Sequence, residues 1–196
     1  MEQKRDRILK AALPLVAKYG YDKTTIENIA HDARLSVGAT YLYFHGKSQI
    51  FICLYEEAIR RLEKNFDIVL GSTFSTTRAK IEALLMAYID YYKNNYEYYR
   101  VIASGFWGKN LEISNSPVLS QYAINILNKL GQAVQDGIDK GDIHPCDAFG
   151  TAVSLWSMND GILMLQEKTH IYYLNDHFEE YYKRSIDIML NGLFSI

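Results

Sequence analysis

Cysteine, proline and long apolar runs are scarce in this 196-residue chain. Its two cysteines, Cys53 and Cys146, stand far apart and form no Cys-x-x-Cys pair, which excludes a disulfide-stapled fold, a zinc ribbon and a dithiol redox motif. Both read as packing residues in a reducing, cytoplasmic compartment. The apolar run over 11–17 stops at Lys18, far short of the roughly 20 residues that a membrane span needs. The first seven residues carry charges of both signs with no signal-peptide core behind them. No nucleophile elbow, phosphate loop, His-Glu-x-x-His or paired-carboxylate motif occurs, so neither catalysis nor a cofactor is expected. His144, Cys146 and Asp147, with His170 or His177, would be the material for a metal site; a turn cap with surface polar residues is the preferred reading, and no metal is expected.

What is present is an ordinary globular balance, 48% hydrophobic and 22% charged, in a chain long enough to bury a core without staples. The net charge of -2 conceals a basic first fifty residues and an acidic remainder, which suits a head that meets a polyanion and a body that does not. Three prolines and apolar residues spaced three and four apart predict an all-helical protein of about nine helices. Ile8, Ala12, Leu15, Val16 and Tyr19 share a face of the first helix, with a bend expected near Lys10 and Ala11 from Pro14 and a C-terminal cap at Gly20. Thr24 or Thr25 caps a second helix over 25–32, and Ser36 a third to about residue 43. A long fourth helix over 47–69 buries Ile50, Phe51, Leu54, Ala58, Leu62 and Phe66. Helices over 77–94, 96–104, 117–140, 145–168 and 174–193 follow.

Three short helices within fifty residues, the second and third joined by a tight turn, make a helix-turn-helix. Small residues at the start of the third, Ser36, Val37, Gly38, Ala39 and Thr40, let a helix backbone approach base edges in a major groove. Behind them Tyr41, Tyr43, His45 and Lys47 offer polar groups at phosphate height, while Leu42 and Phe44 are expected to face a core. Ser36 is either a helix cap alone or a cap that also touches DNA, and Tyr41 can pack between helices and still present its hydroxyl.

The order Ala11-Ala12, Gly20-Tyr21, Thr24-Thr25, Ile29-Ala30, Ala33, Leu35-Ser36-Val37-Gly38, Tyr41-Leu42-Tyr43-Phe44, Lys47 and Phe51 resembles the DNA-binding domain of the TetR family of bacterial transcriptional regulators. The resemblance implies a DNA-binding domain over 1–46 and a helical ligand-binding and dimerisation domain over 47–196. It implies phosphate contacts from Thr25, Tyr41, Tyr43, His45 and Lys47, and a groove-facing set of Ser36, Val37, Gly38, Ala39 and Thr40, with Thr40 the preferred base reader. Arg34 stands where the family usually has glycine; if the turn needs positive φ, that departure costs on the order of 1 kcal/mol.

Twelve of sixteen tyrosines follow residue 50. Aromatic density at helical spacing suits a core, and the resemblance adds an effector pocket, for which Tyr88, Tyr92, Phe106, Trp107, Tyr122 and Trp156 are candidates, with Asp160 orienting a polar or cationic part of the ligand. Phe178, Tyr181, Tyr182, Ile186, Met189, Leu190 and Leu193 give the last helix a broad apolar face, extended by Ile188 and Phe194, on which the resemblance places a homodimer bundle. The expected partners are therefore operator DNA, a small-molecule effector and a second copy of the chain. The expected function is a ligand-responsive DNA-binding regulator, a repressor released from its operator by a small, largely apolar or aromatic effector.

Overall fold

The computed structural model describes residues 4–107, 117–168 and 172–194. Among them the periodic segments form nine helices: α1 (Lys4–Lys23), α2 (Ile26–Asp32), α3 (Val37–Tyr41), α4 (Lys47–Leu70), α5 (Thr77–Asn94), α6 (Tyr96–Trp107), α7 (Pro117–Asp139), α8 (Ala148–Lys168) and α9 (Tyr172–Asn191). Strand pairing among the described residues is confined to one antiparallel bridge between Ile143 and Phe194. The chain divides into two compact units, residues 1–63 with 91–123 and residues 64–90 with 124–196, so α4, α5 and α7 each contribute to both.

In the first unit α1 lies along α6 and against α2. Its inward residues are Ile8, Ala12, Val16, Ala17 and Tyr21. The expected stripe ended at Tyr19, which instead stands 48% exposed. Gly20, at φ 78°, ψ 170°, leaves helical geometry, which glycine does without a Cβ penalty, and the change of phase turns Tyr21 inward. The departure from helical dihedrals lies there and not near Pro14, through which the helix continues. The α4 stripe is as the periodicity predicts, with Ile50, Phe51, Leu54, Ala58 and Leu62 all buried in this unit. Tyr21 meets the Phe51 ring edge-on at 5.1 Å, a favoured aromatic geometry. At Gly105 a Cβ would sit 2.8 Å from the Tyr55 ring, so only glycine lets α6 come this close. Tyr91 donates its hydroxyl to the Ala58 carbonyl at 2.8 Å, and burial pushes its phenol well above the ordinary value.

The second unit buries Ile81, Leu84, Leu85 and Tyr88 of α5, Ile126, Leu130 and Val134 of α7, and Ala152, Leu155 and Leu163 of α8. It also buries Phe178, Tyr182, Ile186 and Leu190 of α9. These four were expected to face a second subunit. They pack instead inside their own, and the Tyr182 hydroxyl reaches the Leu85 carbonyl at 2.9 Å. A helix with apolar residues on more than one face has two surfaces to cover, and its pattern alone does not say which neighbour covers which.

Candidate functional site

The α2–α3 turn is fixed by caps and by one long side chain. Thr25 accepts from the Asn28 amide at 3.2 Å and Ser36 from the Ala39 amide at 3.1 Å, so each short helix begins on a side-chain oxygen, worth about 1 kcal/mol apiece. Between them Arg34 takes φ 54°, the left-handed conformation that non-glycine residues rarely adopt. The Arg7 guanidinium, from α1, donates to the carbonyls of Ala33 at 2.5 Å and Arg34 at 3.3 Å. That bridge ties the strained turn to the first helix and was not visible in the sequence, because a contact spanning 26 residues leaves no local pattern.

Beyond the turn, Ser36, Val37 and Gly38 are exposed and Ala39 is half-buried. Nothing lies within 4 Å of where a Gly38 Cβ would be, so this end of α3 has open space in front of it. Thr40 does not belong to that edge. Its side chain is 0% exposed and its hydroxyl donates back to the Ser36 carbonyl at 3.2 Å, which satisfies it internally and removes it as a base reader. Leu42, expected in the core, is 84% exposed, while Phe44 is buried as expected. The reason is brevity: α3 ends at Tyr41, and the amides of both Tyr43 and Phe44 return to the Thr40 carbonyl, so the helical period stops before Leu42 can complete a second inward turn.

Tyr41, Tyr43, His45 and Thr25 are exposed as well. Lys47 is more constrained. Its ammonium donates to the Tyr21 carbonyl at 2.8 Å and the Asp22 carbonyl at 3.4 Å and lies 4.2 Å from the Tyr21 ring centroid. Partial burial lowers its pKa, against the opposing pull of Asp22. It closes the carbonyl end of α1, where a cation is favoured, and keeps one N–H for another acceptor.

A different polar cluster lies inside the second unit. Asp160 of α8 accepts from the Tyr88 hydroxyl at 2.5 Å and from the Trp156 indole N–H at 2.8 Å. The Tyr88 and Trp156 ring centroids are 4.5 Å apart, and Phe66 meets Trp156 edge-on at 6.2 Å. Burial pushes the Asp160 carboxyl above the ordinary carboxylate range, against the two hydrogen bonds that lower it. Of the expected effector residues, the structure thus brings Tyr88, Trp156 and Asp160 together. Tyr92 belongs to the first unit, edge-on to Tyr96 and Tyr99, and Tyr122 is a half-buried residue of that unit. The side chains of Phe106 and Trp107 lie outside the described residues, as does His170.

Residues 8–53 match the family model of the bacterial regulatory proteins, tetR family. The chain belongs to the TetR family. Its relatives include the fatty acid metabolism regulator protein of Bacillus subtilis (strain 168), 27% identical over 178 residues, covering 82% of this chain and 88% of that one. Among solved structures, the TetR-family regulator PfmR of Thermus thermophilus superposes with a TM-score of 0.76 at 20% identity, covering both chains fully. The regulator FadR of Bacillus subtilis in complex with stearoyl-CoA gives 0.74 at 20% identity, covering 95% of this chain and 98% of that one. The helix-turn-helix of this TetR regulator is therefore α2, the Arg34 turn and α3.

On the far helices of the TetR-family chain, α8 and α9 pack together and leave a different set of apolar residues outward. Phe149, Val153 and Leu165 of α8 and Ile188 of α9 are exposed, Ile188 by 64%. Tyr181, Met189 and Leu193 are half-buried. Among the described residues, no three His, Cys, Asp or Glu side chains converge as metal ligands, and no helix is long and apolar enough to cross a membrane.

Proposed function

We propose that this TetR-family protein is a homodimeric repressor that reads operator DNA with the exposed edge of α3 and leaves it when a small, largely apolar effector binds. One observation carries the reading: Ser36, Val37 and Gly38 face open space at the tip of a motif whose other side is packed. A helix end with short side chains fits the major groove, and the exposed Thr25, Tyr41, Tyr43 and His45 beside it reach for phosphates. Lys47 adds its remaining N–H. Leu42 and Val37 bring apolar surface to the same edge, suited to thymine methyl groups.

Two half-sites one helical turn apart, about 34–36 Å, call for two copies. The outward residues Phe149, Val153, Leu165 and Ile188, with Tyr181, Met189 and Leu193, are the surface for that pairing. Repression follows from occupying the promoter and needs no further contact. The effector class is supported by the names of the fatty acid regulator and of the stearoyl-CoA complex above, both consistent with a long apolar portion. Release requires only that the effector bind two dimer states unequally, by about 1–3 kcal/mol for a 5- to 150-fold change in operator affinity.

The test is fluorescence anisotropy of DNA from upstream of the gene, titrated at rising KCl. Log affinity should fall linearly with log salt because phosphate contacts release counterions. Binding that is indifferent to salt, or absent for every upstream fragment, overturns the reading.

A further inference from the structure

From Asp160, Tyr88, Trp156 and Phe66 we infer that the second unit holds a recognition site for an organic cation, an alkylammonium or protonated amine, which forms the polar end of the effector. The inference rests on the proposed effector-responsive function and names the chemistry of that effector.

The charge balance of the cluster is what points to a cation. An ionised carboxylate offers about four lone-pair sites, and Asp160 uses two of them on neutral donors, the Tyr88 hydroxyl and the Trp156 indole. Among the described residues no basic side chain pairs with it, although the second unit pairs other acids readily: Asp136 with Lys80, Asp187 with Arg78 and Asp67 with Lys129. A buried carboxylate without a counter-charge is costly, and a fold that needed only a structural pin between α5 and α8 would meet less penalty from an amide. The upward shift of the carboxyl by burial agrees, since the ionised form lacks a compensating charge there.

The walls fit the same ligand. Tyr88 and Trp156 stand 4.5 Å apart, with Phe66 beyond Trp156 at 6.2 Å. Aromatic faces attract cations within about 6 Å of the ring centroid, most strongly when desolvated. A buried carboxylate and three aromatic rings with no cation among them are complementary to a positively charged head group, and they are a poor receptor for a carboxylate or phosphate.

The probes are decyltrimethylammonium, decanol and decanoate, which share a tail and differ in head-group charge, used below their aggregation concentrations on the full-length unmodified protein. Binding is read by calorimetry, and DNA affinity is measured on the same sample. Decyltrimethylammonium should bind about tenfold or more tightly than either other probe, and Asp160→Asn should abolish that preference. Equal or tighter binding of decanoate or decanol overturns the inference, as does failure of all three to bind or a preference that survives Asp160→Asn. The head-group comparison on the unmodified chain decides the matter even if the variant does not fold. The two readings fail separately: a cation-selective site in a protein that ignores DNA sinks the repressor, whereas salt-sensitive DNA binding without cation preference sinks only this site.

Discussion

Tyrosine has opposite fates in the two parts of the molecule. On the exposed edge of α3 Tyr41 and Tyr43 are 48% and 41% exposed beside a Leu42 that is 84% exposed, so much of their surface is left uncovered by the fold. In the helical body Tyr88, Tyr91 and Tyr182 are among the largest fully buried side chains, and each hydroxyl has an oxygen partner. The contrast shows that an aromatic count is silent on role. What separates the two sets is whether the hydroxyl is satisfied inside the chain, because a buried phenol needs a partner and an exposed one is left for a ligand.

The sharpest way to break the comparison is to delete one residue from each side. Tyr182→Ala removes a fully buried ring and its bond to Leu85, and by analogy with other aromatic truncations should cost about 3–5 kcal/mol, read as a lower urea midpoint with the slope retained. Val37→Glu on the exposed edge should leave that midpoint within about 0.5 kcal/mol. The same substitution sets a carboxylate against the bases and phosphates, and should weaken operator binding a hundredfold or more, about 3 kcal/mol by anisotropy. If Val37→Glu unfolded the protein, or Tyr182→Ala were silent, buried and exposed would not be the distinction that matters.

A smaller effect comes from Asp160. Its carboxyl titrates higher in the folded chain than in the unfolded one, so between those two values the native state binds more protons than the unfolded state. Stability then falls as pH rises through that window and is higher at its acidic end. Asp160→Asn removes this contribution. Urea titrations at a series of pH values should show the variant gaining on the unmodified protein as pH rises from about 3.8. A difference that does not vary with pH would mean that Asp160 is not desolvated.

The helices were legible because their periodicity is redundant: the α4 stripe survives any single misreading, and the eighteen residues of α5 repeat the same signal about five times over. The exposed end of α3 was legible in position but not in side-chain direction. Five residues of α3 make little more than one turn, so Thr40 and Leu42 exchange their expected environments once the backbone returns to the Thr40 carbonyl. Thr40 was further disguised by polarity, since its hydroxyl finds an acceptor on its own helix and costs little to bury. On α9 the apolar residues were correctly seen as a face, but four of them are covered from within the subunit. Pairings over long separations, Arg7 with the turn and Tyr88 with Asp160, have no signature in a single sequence.

The smallest effect tests whether the α2–α3 turn holds strain while the body does not. Arg34 is the one non-glycine residue with positive φ among those described, and Arg7 holds its carbonyl. A left-handed L-residue costs roughly 1–2 kcal/mol, whereas glycine adds unfolded-state freedom worth about 0.4–1 kcal/mol. Arg34→Gly should therefore stabilise the protein by about 0.5–1 kcal/mol in urea. Arg34→Ala keeps a Cβ at the same φ while deleting the exposed guanidinium, so it should give no such gain. Equal stabilisation by both variants would trace the effect to charge, and the turn would then carry no strain for Arg7 to hold.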